Sequence, residues 1–246
     1  MKKWTDIPDS IKNEITYKYY QILEKRKYSL LFKRIFDIIF SVLLLVILSP
    51  ILLLLGICIK IDSEGPIFYR QERVTRYNKT FKIFKFRTMV QNADKIGSLV
   101  TIGKDPRITR MGNIIRKYRL DEIPQLINVL CGDMTFVGTR PEVRKYVNEY
   151  TDEMKATLLM PAGITSEASI RYKDEASLLD KIDNVDNVYV EQVLPKKMNY
   201  NLLSIRNFSF WNDIKTIYRT IFAVLGKEYK DDILVEEIKK KEVINK

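Results

Sequence analysis

The hydrophobic pattern of this chain is dominated by one long apolar run near its N-terminus. Residues 38–59 carry no charged side chain, and 43–48 and 51–55 are apolar throughout. As a helix these 22 residues would be about 33 Å long, enough to cross the hydrocarbon core of a bilayer. About thirty mostly polar residues precede the run, and no small-residue cleavage site follows it. The pattern therefore predicts a membrane anchor and not a cleavable signal.

Two features of this anchor favour a re-entrant course, in which the chain enters the membrane, bends and returns. Ser49 and Pro50 lie near its middle, where proline removes a backbone hydrogen bond and disfavours helix at the preceding residue. Both flanks are basic, which places both ends on the cytoplasmic side. These flanking cations are Lys25, Arg26, Lys27, Lys33 and Arg34 before the run, and Lys60, Arg70 and Arg73 after it. An ordinary span with a kink is the alternative.

Shorter patterns beyond the anchor predict a mixed domain. Residues 66–70 and 80–89 have the pattern of two strands of a hairpin. Residues 107–130 have helical spacing that is interrupted by Pro124, and 208–225 carry one apolar stripe. Because Phe and Trp stand at the start of this last stripe, its helix could lie in the membrane interface, and packing on the core is the alternative.

The expected fold class is α+β and mainly helical. A re-entrant helix-break-helix anchor is joined to a small cytosolic catalytic domain with a short β-hairpin and interfacial amphipathic helices. The predicted boundaries are an N-terminal cytosolic extension at 1–30, the anchor at 31–61, the catalytic domain at 62–226 and a charged tail at 227–246.

The charge of the chain points to an anionic partner. The formal net charge is +11, and residues 60–119 hold 15 Lys/Arg against 5 Asp/Glu, a net of +10. An excess concentrated in this way favours anionic lipid, nucleic acid or a phosphorylated small molecule. The chain has no histidine, and Cys58 and Cys131 lie far apart. Catalysis by histidine, a disulfide framework and a Cys-rich zinc site are therefore excluded.

Two stretches carry candidate chemistry. Asp121 and Glu122 follow a run of cations that includes Arg116 and stand just before Pro124. Neighbours on a regular helix do not share a face, so the distortion imposed by Pro124 is needed to direct both carboxylates to one site. In the stretch 132–141 (GDMTFVGTRP), glycines punctuate a loop that delivers Arg140, an arrangement suited to a phosphate. A solvated acidic pair is the alternative for the first stretch.

A series of motifs resembles the bacterial sugar transferase family, the small monotopic phosphoglycosyl transferases. The series consists of 33–37 (KRIFD), 49–50 (SP), 85–89 (KFRTM), 120–122 (LDE) and 132–141. The resemblance implies transfer of a sugar 1-phosphate from a nucleotide diphosphate sugar, expected to be UDP-linked, to polyprenyl (undecaprenyl) phosphate. This is the initiating step of polysaccharide or glycoconjugate assembly. It also implies Mg²⁺ and a monotopic position on the cytoplasmic face of the bacterial plasma (inner) membrane.

The resemblance also assigns roles to individual residues. Asp121 matches the nucleophile and Glu122 its partner, and both are candidate metal ligands. The expected phosphate-binding cations are Lys85, Arg87, Arg116 and Arg140, and the expected break in the membrane helix is at Ser49 and Pro50. The chain departs from the family at 161–169 (PAGITSEAS), where an arginine before the Gly-Ile-Thr core and a later tryptophan are missing. Arg171 and Lys173 are candidate replacements for that arginine.

The expected partners are the nucleotide sugar, polyprenyl phosphate and membrane lipid. Nucleic acid is not expected, because the basic residues adjoin a membrane segment and match no nucleic-acid module. A homo-oligomer is left open. A non-catalytic membrane scaffold that binds anionic lipid is the alternative function, although it explains neither the Asp121-Glu122 pair nor the glycine loop.

Overall fold

The architecture is described from a computed structural model that defines residues 1–93, 105–172 and 185–226. Its described helices are α1 (Glu14–Lys25), α2 (Lys27–Asp62), α3 (Arg110–Lys117), α4 (Gln125–Cys131), α5 (Arg144–Val147), α6 (Glu167–Arg171), α7 (Val185–Val188), α8 (Leu194–Arg206) and α9 (Phe210–Val224). Its described strands are β1 (Phe68–Val74), β2 (Thr80–Phe86), β3 (Met134–Val137) and β4 (Ala162–Thr165). Within these ranges the fold is mainly helical, as predicted, and the strands form two small sheets, of which the β1–β2 hairpin was predicted.

The first thirty residues contribute buried side chains to the main core. Asn13 caps α1 by accepting a hydrogen bond from the backbone amide of Thr16 at 2.7 Å. The helix then buries Tyr19, Tyr20 and Leu23 among residues of α8 and of the segment Met154–Leu159. The apolar face of α1 therefore determines its place. The predicted charged tail at 227–246 lies outside the described residues.

The anchor helix α2 runs through Ser49 and Pro50 without a non-helical residue. Proline 50 cannot donate to the carbonyl of Val46, four residues before it. The Ser49 hydroxyl donates to that same carbonyl at 2.8 Å and so replaces the missing bond. The predicted break in the helix is therefore not confirmed, and the re-entrant course stays a prediction.

The body of the protein holds α2 at both ends. Near the N-terminal end, Lys33 is buried and donates to the Val137 carbonyl at 2.8 Å and to Asp213 of α9 at 2.5 Å. Near the C-terminal end, Asp62 accepts from the amide of Met111 at 3.0 Å. Leu44 and Leu48, between these ends, pack against the core around β3 and α4. The helix therefore lies along the body over much of its length.

The opposite face of α2 is exposed and apolar. By length and composition α2 could cross a membrane. Only 17% of its most apolar 18-residue window is buried inside the protein. The exposed side chains include Leu31, Phe32, Ile35, Ile39, Val42, Leu43, Val46, Ile47, Leu53, Leu54, Ile57 and Ile61. A continuous apolar face of this kind is typical of contact with lipid.

The predicted hairpin is confirmed, with longer first and shorter second strands than expected. Strands β1 and β2 pair antiparallel from Phe68 opposite Phe86 to Val74 opposite Thr80. A helical turn at Arg76–Asn78 joins them, where Tyr77 and Asn78 both have positive φ. Phe81 and Ile83 are buried on one face of β2, and Phe86 is buried on the other.

The glycine-punctuated stretch 132–141 contains a buried strand that the sequence analysis did not predict. Strand β3 pairs in parallel with β4, with Met134 opposite Ala162 and Thr135 opposite Gly163. A Cβ on Gly163 would lie 2.2 Å from the Gly138 amide nitrogen, so the close approach of the two segments requires glycine. This pairing fixes the path of the chain just before Arg140.

The two longer helical predictions are also confirmed. The interrupted pattern at 107–130 forms α3, a short turn at Leu120–Glu122 and then α4, which follows Pro124. The stripe at 208–225 forms α9. One side of α9 packs on α2 and the small parallel sheet, which confirms packing on the core. Trp211 and Tyr218 are exposed, and contact of this face with the membrane interface stays a prediction.

Candidate active site

The site begins at a turn that interrupts the helical stretch between α3 and α4. Helix α3 ends near Tyr118, and Arg119 then takes the left-handed conformation with φ 54° and ψ 28°. This conformation is uncommon for a residue with a side chain. Leu120–Glu122 form a single turn of 3₁₀-helix directly after it. The change of direction that exposes the carboxylates therefore occurs at Arg119, earlier than the predicted distortion at Pro124.

Glu122 is held by two cations. Its Oε1 accepts from Lys85 Nζ at 2.9 Å and from Arg140 Nη2 at 2.5 Å, and its Oε2 lies 3.4 Å from Arg140 Nη1. Lys85 comes from β2, and Arg140 follows the parallel sheet. The hairpin, the turn and the sheet thus meet at one carboxylate, and Glu122 is charge-compensated before any ligand binds.

Asp121 has a weaker contact with the same cations. Lys85 Nζ lies 3.9 Å from Asp121 Oδ2, beyond hydrogen-bond distance. The Asp121 side chain is only 18% exposed, so its carboxylate has lost most of its contact with water. The distant charge of Lys85 offsets this loss only in part. This leaves Asp121 as the less constrained member of the pair.

The environment shifts the pKa values of the two carboxyls in opposite directions. Burial raises the pKa of Asp121, Lys85 counteracts this in part, and the neighbouring charge of Glu122 adds to the rise. Burial acts in the same direction on Glu122, but Arg140 and Lys85 outweigh it and hold the pKa of Glu122 well below its ordinary value. Such separation within a pair of titratable groups is typical of acid–base or nucleophilic sites.

A cavity of about 740 Å³, called the polar cavity here because many charged side chains line it among apolar ones, opens in front of Asp121. All four predicted phosphate-binding cations, Lys85, Arg87, Arg116 and Arg140, line it together with Asp121. Its size is within the range of small-molecule sites. The excess of cations matches a ligand that carries several negative charges.

The fourth predicted cation, Arg87, has a different set of partners. Its Nη2 donates to the Ser63 carbonyl at 2.6 Å and the Ser63 hydroxyl at 2.9 Å, and lies 3.4 Å from the Ile59 carbonyl. These acceptors form the C-terminal end of α2, where a cation is favoured. Arg87 borders the polar cavity, but its contacts are those of a residue that fastens α2 to the hairpin. Phosphate binding by Arg87 stays a prediction.

A second, mostly apolar cavity of about 310 Å³ adjoins the same turn. Glu122 lines this cavity and Asp121 does not, whereas Arg140 lines both cavities. Leu44 and Leu48 of α2 contribute to its wall. The turn therefore separates a basic compartment from an apolar one that reaches the anchor helix.

The donor groups present fit a magnesium ion that is bound largely by substrate. Within the described ranges, no cluster of three or more acidic, cysteine or histidine side chains could hold a metal. Magnesium commonly takes one or two carboxylates and completes its shell with phosphate oxygens and water. Asp121, beside the polar cavity and loosely paired, fits this pattern, while both Glu122 oxygens already contact cations.

A buried polar network beside the polar cavity was missed by the sequence analysis. Glu142 accepts from the Tyr189 hydroxyl at 2.6 Å, and Lys197 Nζ lies 2.9 Å from that hydroxyl and 3.5 Å from Glu142. Arg73 donates to the Pro141 carbonyl at 3.2 Å. Glu142 follows Arg140 closely in sequence, and this proximity could have indicated that Glu142 lies at the site. Lys197 lies on α8, 55 residues away from Glu142, and nothing in the sequence linked it to the site.

Of the two candidates for the missing family arginine, only Arg171 lies within the described residues. Arg171 pairs with Glu167 at 2.5 Å within α6 and lines neither cavity. Lys173 lies outside the described residues. Arg73, which lines the polar cavity, is better placed to meet a ligand there.

Comparison with known proteins relates this chain to sugar transferases. The sequence model of the family described as "Bacterial sugar transferase" matches residues 28–227. The chain is 34% identical over 172 residues to a UDP-N-acetylgalactosamine-undecaprenyl-phosphate N-acetylgalactosaminephosphotransferase of Aeromonas hydrophila, covering 69% of this chain and 38% of the relative. It is 36% identical over 173 residues to the UDP-glucose:undecaprenyl-phosphate glucose-1-phosphate transferase of Escherichia coli (strain K12), covering 68% and 34%.

A relative of more similar length is the uncharacterized sugar transferase EpsL of Bacillus subtilis (strain 168). It is 32% identical over 170 residues, which cover 69% of this chain and 75% of EpsL. The aligned part amounts to little more than a third of the length of the Aeromonas and Escherichia relatives.

Proposed function

The chain belongs to the bacterial sugar transferase family, and we propose that it transfers a sugar 1-phosphate from a nucleotide diphosphate sugar to polyprenyl phosphate. The observation that carries the proposal is the partly buried, weakly compensated carboxylate of Asp121 at the edge of a cavity lined by cations. The printed names of relatives that act on UDP-sugars and undecaprenyl phosphate support this choice of substrates.

The cations around Asp121 address the main barrier to such a reaction. A carboxylate that attacks a diphosphate meets like charge, and one pair of unit charges at 4 Å costs about 4 kcal/mol at an effective dielectric of 20. This corresponds to a loss of about three orders of magnitude in rate. Lys85, Arg116 and Arg140 line the cavity where the diphosphate would lie and offset that repulsion.

In the first step an Asp121 carboxylate oxygen attacks the phosphorus that bears the sugar. The bond from this phosphorus to the bridging oxygen breaks, and its electron pair leaves with the nucleoside monophosphate. The product is a phosphosugar–aspartate intermediate. In the second step a phosphate oxygen of polyprenyl phosphate attacks the same phosphorus, and the bond to Asp121 breaks with return of the electron pair to the carboxylate. The lipid-linked sugar diphosphate is released and the enzyme is regenerated.

Magnesium, when bound through the donor phosphates with Asp121 and Glu122 as candidate protein ligands, would neutralise charge on the diphosphate. The residues of this chain have separate tasks. Lys85 and Arg140 hold Glu122 ionised and in place. Arg116 contributes positive charge near Asp121 and favours its ionised form.

The position of the site beside α2 suits a lipid acceptor. The body contacts α2 near both ends and at Leu44 and Leu48, so a helix perpendicular to the membrane would draw the body into the bilayer. A monotopic, re-entrant position keeps the exposed apolar face of α2 in lipid and the polar cavity in the cytoplasm. The exposed Trp211 and Tyr218 of α9 fit the interface region. We propose the cytoplasmic face of the bacterial plasma membrane as the location.

The proposal is tested by incubation of the purified protein with polyprenyl phosphate and a panel of nucleotide diphosphate sugars. We expect nucleoside monophosphate release with at least one donor, and sustained release only when polyprenyl phosphate is present. Absence of release with every donor would contradict the proposal and favour a scaffold that binds anionic lipid. A scaffold that only binds lipid does not explain why the pKa values of Asp121 and Glu122 are shifted in opposite directions.

A further inference from the structure

The apolar cavity next to Glu122 connects the anchor helix with the candidate active site. Leu44 and Leu48 of α2 line it, and so do Glu122 and Arg140 of the candidate active site. The other lining residues come mainly from α4, β4, α6 and α9. The cavity is therefore mostly apolar, and its charged lining residues are Arg119, Glu122 and Arg140.

This distribution of charge defines the chemistry of the occupant. A ligand with an apolar chain would place that chain against Leu44, Leu48 and the aliphatic wall, because apolar burial is favourable there. Arg140, which lines this cavity and the polar one, would attract an anionic head. The lining residue Val224 is 54% exposed, and many apolar side chains of α2 are exposed as well. The cavity therefore opens towards the apolar surface of the protein.

Resting on the proposed function, we propose that this cavity is the acceptor subsite and holds the isoprene units next to the phosphate of polyprenyl phosphate. The donor then occupies the polar cavity on the Asp121 side of the turn. At about 310 Å³ the apolar cavity has room for only the first part of a long lipid, and the rest of the chain stays in the membrane. Donor and acceptor thus enter through different openings.

The position of Arg140 follows from the geometry of two successive displacements. The attacking and leaving oxygens of phosphoryl transfer lie roughly in line. In the second step the acceptor phosphate must therefore approach the phosphorus from the side opposite to Asp121. This is the side on which the nucleotide left in the first step. A residue that serves both the leaving phosphate and the incoming phosphate has to be reachable from both cavities, and Arg140 lines both. Glu122, which faces the acceptor side, is the positioning residue that holds Arg140 there.

Filling the apolar cavity separates the acceptor subsite from the donor chemistry. Ala223 is buried in the cavity wall, so Ala223→Trp places a large side chain in the path of the lipid. We expect the KM for polyprenyl phosphate to rise at least about tenfold. The first step, measured as nucleoside monophosphate release without acceptor in a single turnover, should stay within about twofold of wild type, since donor contacts are unchanged. Ala223→Leu should give a smaller rise in the same KM.

The matched control is Ile221→Trp, which adds the same ring two residues earlier on an exposed face of α9. It should change neither quantity. An unchanged acceptor KM in both Ala223 variants would overturn the acceptor subsite, as would equal loss of the first step and of transfer in the milder Ala223→Leu. If wild type itself releases no nucleoside monophosphate from any donor, the proposed function fails instead.

Discussion

Asp121 and Glu122 are consecutive residues, yet their side chains line different cavities. Asp121 borders the polar cavity, and Glu122 borders the apolar cavity that reaches the anchor helix. The left-handed conformation of Arg119 and the 3₁₀ turn after it produce this division. One carboxylate is partly desolvated and weakly compensated, while the other is bound by two cations.

Neutralising the two carboxyls should change the stability of the protein in opposite directions. The pKa of Asp121 is raised in the fold, so its ionised form destabilises the fold above that pKa, and Asp121→Asn should raise the unfolding temperature at pH 7. The pKa of Glu122 is depressed, so its ionised form stabilises the fold, and that stability is lost as pH falls through the folded pKa. Glu122→Gln leaves Lys85 and Arg140 without their counter-charge and should cost about 3 kcal/mol.

Thermal unfolding of both variants in detergent measures this contrast. Glu64→Gln, at an exposed position, is the control and should stay within about 0.5 kcal/mol of wild type. Shifts of the same sign for Asp121→Asn and Glu122→Gln would refute the opposed roles of the pair.

The rate of the first step should fall in acid as Asp121 becomes protonated. Burial raises the pKa of Asp121 above its ordinary value, and Lys85 opposes that rise. Lys85→Met should therefore move the acid limb of the single-turnover rate to higher pH, and should lower the rate at the optimum about a hundredfold. Lys82→Met on the same strand, where the side chain is exposed, should leave the limb in place. A limb that stays fixed or moves to lower pH in Lys85→Met would contradict the assignment.

Activity should require a divalent cation. The donor is a diphosphate, and the described residues provide no protein-only cage for a metal, so the ion must bind with the substrate. We expect excess chelator to abolish nucleoside monophosphate release and added Mg²⁺ to restore it. Full release in excess chelator would show that the cations of the polar cavity are sufficient alone.

Both ends of α2 should face the cytoplasm. Lys33 near one end and Asp62 at the other contact the same body, which cannot lie on both sides of a membrane. Single cysteines replacing the exposed Tyr28 and Ile61, in a background without Cys58 and Cys131, should resist an impermeant thiol reagent in intact cells and react after permeabilisation. Labelling of either position from outside would exclude the re-entrant course. Pro50→Ala should restore the missing backbone bond and allow some molecules to span.

The sequence contained enough information for the elements whose stabilising contacts are local. The uncharged run of α2, the alternation in β2 and the stripe of α9 each follow from a single periodic pattern. The pairing of β3 with β4 was not predictable, because it joins two four-residue segments that are separated by a long connection. Packing of α1 into the core was missed for the same reason, since its partners lie on α8 and the segment Met154–Leu159.

The sequence indicated which residues to group together and not their geometry. The motif around Asp121 and the delivery of Arg140 by a glycine-rich stretch were visible in the sequence, and the structure brings these side chains together. The separation of the carboxylates between two cavities depends on the backbone of Arg119, which no residue preference encodes. Arg87 resembled a phosphate ligand in sequence, but its contacts with Ser63 and Ile59 depend on where α2 ends.

The central claim is that Asp121 becomes covalently attached to the sugar phosphate. Incubation with an accepted nucleotide sugar in the absence of polyprenyl phosphate, followed by intact-protein mass measurement, tests it directly. Wild type should gain the mass of one sugar phosphate, and Asp121→Asn, which keeps the shape but lacks the anionic oxygen, should gain none. Peptide mapping should place the added mass on Asp121. An adduct on another residue, or near-normal turnover by Asp121→Asn, would contradict the account and favour direct attack by the acceptor phosphate.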